Sequence, residues 1–182
     1  MSQNDYNRQI VESLLKEENH VRGLARALST NQTTVARKLK ELYRQNVVDY
    51  KTEGKNKVFH VKKTLEAKQY AYLVEINKQQ EALHKYPKLR ILFEHIRKNN
   101  KITLVILFGS YAKGTAHKDS DIDVYLDTKD KRLKEEVELL DTKLSVVIGP
   151  YNPNSPLIKE IEKNHIILKG MENYYEKARF FA

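Results

Sequence analysis

The sequence predicts an α+β protein in three stretches. Residues 1–63 read as three helices followed by a β-hairpin, residues 64–87 as a linker helix, and residues 88–182 as an α/β domain with a small mixed sheet. Three observations carry this reading. Helical periodicity fills the first 45 residues; an apolar run, LVILF, is followed after a Gly-Ser turn by DIDVYL, in which acids and aliphatics alternate; and the basic charge is concentrated toward the N-terminal end. A chain of 182 residues accommodates a helical unit of about 60 residues and an α/β unit of about 95, each large enough to bury a core.

The elements follow in order. Residues 4–17 place Ile10, Val11, Leu14 and Leu15 at helical spacing, residues 22–28 form a short Arg-containing helix, and residues 32–45 form a third. Ser29-Thr30-Asn31 supplies the turn before that third helix, with Asn31 as its N-cap. Val47–Thr52 and Lys57–Val61 are two short strands joined by Glu53-Gly54-Lys55-Asn56. In the third helix Val35, Leu39 and Leu42 stack on one side, so Thr33, Arg37, Lys40 and Arg44 fall on the other.

Three helices and a hairpin in this order resemble the winged helix-turn-helix domains of prokaryotic transcription regulators, over about residues 4–63. The resemblance implies that duplex DNA is the partner. Thr33 and Arg37 would then lie near base edges, Lys40 and Arg44 on phosphates, and Lys55 and Lys57 of the wing on the adjacent backbone. It also implies a homodimer that reads two half-sites. Charge agrees with this: residues 21–63 hold 11 basic and 3 acidic residues, which is +8 of the chain's formal +9.

Residues 64–85 read as one polar helix ending before Pro87, with Leu65, Tyr72, Ile76 and Leu83 on an imperfect heptad-like stripe that Gln69 and Gln79 interrupt. The stripe is expected to pack this helix on one of the chain's own domains, a dimer seam being the alternative. Beyond it, a helix bearing Leu89, Leu92, Phe93 and Ile96 leads into a buried strand at 102–108. A second strand runs from Asp121 to Asp127, a charged helix from Lys131 to Asp141, and a third strand from Lys143 to Ile148. Pro150, Pro153 and Pro156 mark a loop, Asn154 or Ser155 caps a helix that runs through Glu162, and His165–Leu168 forms an edge strand. In the aromatic ending, Tyr174, Tyr175, Phe180 and Phe181 are expected to close a core or meet a partner.

The densest chemistry lies between the first two of those strands. Side chains alternate faces along a strand, so Asp121 and Asp123 share one face about 7 Å apart while Ile122 and Val124 face the core. Two carboxylates so placed suit a divalent metal. Gly109 lets the chain turn sharply, and a helix starting after Ser110 would offer free amides to phosphate oxygens. Gly109-Ser110, ten residues, then Asp121-x-Asp123 resembles the signature of the DNA polymerase β-like nucleotidyltransferases, over roughly residues 88–182, and Gly114 and Ser120 fit the same pattern.

That resemblance implies a nucleotidyltransferase fold that binds a nucleoside triphosphate, ATP foremost, with Mg²⁺ or Mn²⁺. Asp121 and Asp123 would be the metal ligands and catalytic acids, and Gly109, Ser110, Lys113 and Ser120 would face the nucleotide; His117 and Lys118 add loop charge. One departure stands out. The family's third carboxylate is expected on the strand at 143–148, where Ser145 stands, and a serine hydroxyl replaces neither a metal ligand nor a base. Asp141 shares its parity but lies about 13 Å back along an extended chain. Two expectations follow, weak catalysis or binding without turnover.

Three functions fit these features. The first is a DNA-binding transcriptional regulator whose nucleotidyltransferase-fold domain binds a nucleoside triphosphate with Mg²⁺. The second is an active transferase that moves a nucleoside monophosphate onto a protein, RNA or small-molecule hydroxyl, and the third a non-catalytic assembly module. The chain has no cysteine, so disulfides and thiolate metal sites are excluded; no apolar run approaches the roughly 20 residues of a membrane span, and no signal-peptide core opens the chain. The expected location is the cytoplasm, with no membrane partner.

Overall fold

The structure, a computed structural model, describes residues 5–181. Two compact units divide the chain: one runs through Val74 and includes Phe181, and the other spans Glu75–Phe180.

In the first unit, helices α1 (Tyr6–Lys16), α2 (Val21–Ala27) and α3 (Gln32–Arg44) precede the antiparallel hairpin of β2 (Val48–Glu53) and β3 (Asn56–Val61). Asp5 caps α1 by accepting from the Arg8 amide, and Asn31 Oδ1 caps α3 by accepting from the Thr34 amide at 2.7 Å. Ile10, Val11 and Leu14 of α1, Leu24 of α2 and Val35, Leu39 and Leu42 of α3 meet Val47, Val48 and Phe59 in one core. Gly54, at φ +60°, opens the tight Gly54-Lys55 turn that closes the wing. One element was not visible in the sequence: β1 (Asn19–His20) pairs with β3 and makes the sheet three-stranded.

Helix α4 (Leu65–Lys85) is continuous, and the division between the units falls inside it. Its buried face corrects the expected stripe. Ala67, Ala71, Val74 and Ala82 are buried, whereas Leu65 and Ile76 are 69% and 43% exposed. Small side chains let the helix approach its neighbours closely; of the expected stripe Leu83 packs, partly buried, on the second unit's core, while Leu65 and Ile76 are left outside. No helix among the described residues is long and apolar enough to cross a membrane.

The second unit is built on a four-stranded mixed sheet in the order β6-β5-β4-β7. Its strands are β4 (Val105–Leu107), β5 (Ile122–Asp127), β6 (Leu144–Gly149) and β7 (Ile166–Lys169). β4 is antiparallel to β5 and to β7, and β5 is parallel to β6. One face packs Val105, Leu107, Ile122, Val124, Leu126 and Val146 against α5 (Leu89–Lys98) and α7 (Lys131–Glu138). The charged helix thus ends three residues earlier than Asp141, whose side chain accepts from the Lys143 amide in the turn into β6.

On the other face a row of rings, Tyr125, Tyr151, Tyr174 and Tyr175, runs in edge-on contacts with centroids 5.2–6.4 Å apart. These rings and the buried Ile158 and Ile161 belong to a layer formed with α8 (Pro156–Lys163) and α9 (Met171–Lys177). Ser155 is the cap of α8, accepting from the Ile158 amide with Pro156 in the first turn. The edge strand β7 is closed by side chains of α4: the carboxylate of Glu75 accepts from the Ile167 amide, and the amide group of Gln79 donates to the Ile167 carbonyl.

Candidate functional site

Two sites carry chemistry, one in each unit. In the first unit an open groove of about 640 Å³ lies between α3 and the wing. Lys40 from α3, Lys55 and Lys57 from the wing, and His20 and Arg22 at the start of α2 all line it, with no carboxylate among the lining residues. Arg22, Lys40, Lys55 and Lys57 have no acidic partner among the described residues, whereas three other cations of this unit are neutralised. Arg37 and Lys38 are paired with Glu41 at 3.0 and 2.7 Å, and Lys51 with Glu18 and Glu53. Unpaired cations on an acid-free groove leave a positive potential available to an anion.

In the second unit the site is assembled where β4 turns toward β5. The chain leaves β4 at Phe108 and enters a single helical turn, α6 (Gly109–Ala112), so the turn begins at Gly109 itself and not after Ser110. Gly109 is held at φ +68°, and a Cβ placed there would lie 2.1 Å from Asp123 Oδ2. The glycine is therefore the socket in which the aspartate carboxylate sits, which gives the Gly-Ser and Asp-x-Asp elements a direct physical link. The Phe108 amide donates to the Asp123 carbonyl at 2.9 Å and fixes that approach. Asp123 is half-buried, and its carboxyl is held above the ordinary range, first by burial and then by the charge of Asp121. Asp121, just outside β5, is exposed.

Ser145 on β6 stands in register with Asp123 on β5. In a parallel pair this puts both on one face, about 4.8 Å apart across the sheet. The third acid on that face of β5, Asp127, is engaged elsewhere: it accepts from the Tyr151 amide at 2.9 Å and pairs with Lys177 at 2.8 Å. Among the described residues no group of three or more His, Cys, Asp or Glu could hold a metal. Asp121 and Asp123 would leave room on a divalent cation such as Mg²⁺ for phosphate oxygens and water, and such a cation would offset that part of the rise at Asp123 which comes from Asp121 rather than from burial.

The family model described as Polymerase beta, Nucleotidyltransferase matches residues 91–172. The second unit carries a nucleotidyltransferase domain. No curated protein matches the chain. Solved structures align with part of it. The homodimeric winged helix-turn-helix DNA-binding domain of a Mycobacterium bovis protein is 26% identical over 44% of this chain and 74% of that one, with a TM-score of 0.38. The transcriptional repressor BigR from Xylella fastidiosa is 21% identical over 42% of this chain and 75% of that one, also with a TM-score of 0.38. The winged helix-turn-helix architecture of the first unit stands on its own element order, three helices and then a hairpin.

Of the expected nucleotide-site residues, the nucleotidyltransferase domain brings Gly109, Ser110, Asp121 and Asp123 to one end of β4 and β5. Lys113 follows α6 and is exposed. Ser120 closes a tight turn, its hydroxyl accepting from the His117 amide at 3.0 Å. Two side chains that sequence reasoning missed fasten this loop: Lys85 Nζ donates to the Gly114 carbonyl at 2.6 Å, and Lys143 Nζ donates to the Lys118 carbonyl. In the first unit the structure unites Lys40, Lys55 and Lys57 on the groove, while Thr33, Arg37 and Arg44 lie outside it. Arg22 and His20 were also missed, since no spacing rule ties the start of α2 to a hairpin some 30 residues later.

Proposed function

We propose that this protein is a DNA-binding transcriptional regulator whose nucleotidyltransferase domain binds a nucleoside triphosphate with Mg²⁺ and does not depend on turnover. The observation that carries the reading is the register of Ser145 with Asp123. The socket for Asp123 is intact, yet the neighbouring strand offers a hydroxyl where a third carboxylate would hold a second metal and take a proton from an attacking hydroxyl. Asp121 and Asp123 would hold Mg²⁺, which when bound would supply positive charge to the triphosphate. The chain's own groups do the rest: Gly109 seats the carboxylate, Ser110 and the first amides of α6 offer donors to phosphate, and Lys113 brings an exposed positive charge.

The unpaired cations between α3 and the wing support DNA as the partner of the first unit. Leu65, Leu73 and Ile76, exposed on one side of α4, support a homodimer. A second reading, an active transferase, is favoured by the same aspartate socket. Calorimetric titration with ATP and Mg²⁺ or Mn²⁺ separates the readings when run beside pyrophosphate release from labelled nucleoside triphosphates. The regulator reading expects metal-dependent binding that Asp121→Ala/Asp123→Ala abolishes, with no aspartate-dependent release. Aspartate-dependent release would establish the transferase, and absent nucleotide binding would defeat both. Sedimentation at micromolar concentration tests the dimer.

A further inference from the structure

The groove of the first unit is shaped for more than a phosphate. Its volume, about 640 Å³, falls in the range of sites that enclose a small organic group, about 300–1000 Å³. Its floor is apolar, with Val21, Ala36, Leu39 and Phe59 among the lining residues. Two further rings line it: Tyr50 lies 5.5 Å from Phe59, and Tyr43 lies 5.9 Å from Tyr50. Lys57 Nζ sits 3.9 Å over the Tyr50 ring, so one face of Tyr50 is already capped by a cation. Tyr43, on the outer side of α3, keeps half its surface exposed.

A fully paired duplex makes poor use of these features. It presents base edges and phosphates to a protein and keeps the flat faces of its bases stacked away. An apolar hollow with an open aromatic ring, rimmed by unpaired cations, complements the opposite arrangement: a planar apolar face carrying an anion. We infer that the groove between α3 and the wing takes an unpaired nucleotide of a nucleic-acid strand. Its base lies against Tyr43 over the apolar floor, and its flanking phosphates meet Lys40, Lys55 and Arg22. This deepens the reading of the first unit as a DNA-binding domain and rests on it.

The test uses fluorescence anisotropy with the full-length protein and three probes of one sequence: a paired duplex, the same duplex with one bulged thymidine, and the single strand. The bulged and single-stranded probes are expected to bind about tenfold more tightly than the duplex. Tyr43→Ala should erase that preference while leaving duplex affinity in place, and Tyr43→Phe should retain it. Tyr43 is half exposed, so Tyr43→Ala removes its ring contact with Tyr50 and no fully buried side chain, and Tyr43→Phe keeps that contact. Equal affinity for all three probes, or a preference that survives Tyr43→Ala, overturns the inference and leaves the DNA-binding reading standing. Binding to none of the probes defeats both. If free thymidine monophosphate displaces the bulged probe as well as unlabelled bulged duplex does, the occupant is a small molecule and the inference fails.

Discussion

Replacing Gly109 with alanine should cost far more than the loss of one flexible residue, because two separate penalties meet at this position. The backbone sits at φ +68°, where an L side chain pays about 1–2 kcal/mol. The new Cβ would also lie 2.1 Å from Asp123 Oδ2, so the carboxylate must leave its socket, an overpacking cost of about 1–3 kcal/mol. The expected destabilisation of Gly109→Ala is therefore roughly 2–5 kcal/mol. In an Asp123→Ala background the 2.1 Å clash is gone and only a 3.2 Å approach to the residue-123 Cβ remains, so the same change should cost little more than the backbone term of about 1–2 kcal/mol. The difference is a coupling free energy between the two halves of the motif. Amide exchange as a function of urea in peptides covering 102–127 reports on the second unit alone and gives both numbers. Equal costs in the two backgrounds would refute the packing of carboxylate on glycine as the link between Gly-Ser and Asp-x-Asp.

Other outcomes follow from the same geometry. The carboxyl of Asp123 titrates above its ordinary value of 3.8, so in the window above that value the folded chain binds more protons than the unfolded one. Its stabilising contribution is present at acid pH and is lost as pH rises through the raised pKa, because the unfolded state then binds fewer protons. Asp123→Asn should flatten that fall and make the metal-free protein more stable at neutral pH, as read by thermal unfolding across the acid-to-neutral range. In the first unit, Lys40→Ala and Lys55→Ala should each weaken duplex binding and lower the slope of log K against log salt by about 1. Arg37→Ala should do less in the same titration, since its guanidinium is already bound to Glu41. Lys143→Met should speed amide exchange in the 113–120 loop and weaken nucleotide binding in calorimetry, with thermal stability shifted by about 0.5 kcal/mol or less.

What the sequence made legible is what short-range periodicity governs. The sides of α3, the caps at Asn31 and Ser155, and the alternation of Asp121 and Asp123 with core aliphatics all follow from residues within one turn or one strand. What it concealed depends on which surfaces meet. Leu65 and Ile76 read as a packing face because large aliphatics usually form one, but α4 packs mainly through Ala67, Ala71, Val74 and Ala82, and alanines give no such signal. The pairing of Asn19 and His20 with β3 involves two polar residues that no alternation pattern marks. The loop fastenings by Lys85 and Lys143 join charged side chains to backbone carbonyls more than 20 residues away, and side-chain-to-carbonyl bonds leave no trace in composition. Ser145 falls beside Asp123 because strand parity is fixed once Ile122 and Val146 are placed in the core.

The closure of β7 by Glu75 and Gln79 bears on how the protein can be dissected. The residues that match the nucleotidyltransferase family begin at 91, which invites excision of the catalytic-type domain just before α5. Such a cut discards both side chains that occupy the N–H and C=O of Ile167. The outer edge of the sheet would then present an unsatisfied backbone flanked by apolar Ile166 and Leu168, a template for a strand of another molecule. A soluble, monodisperse fragment has to start upstream of Glu75, so the connecting helix also insulates the sheet from its neighbours in solution.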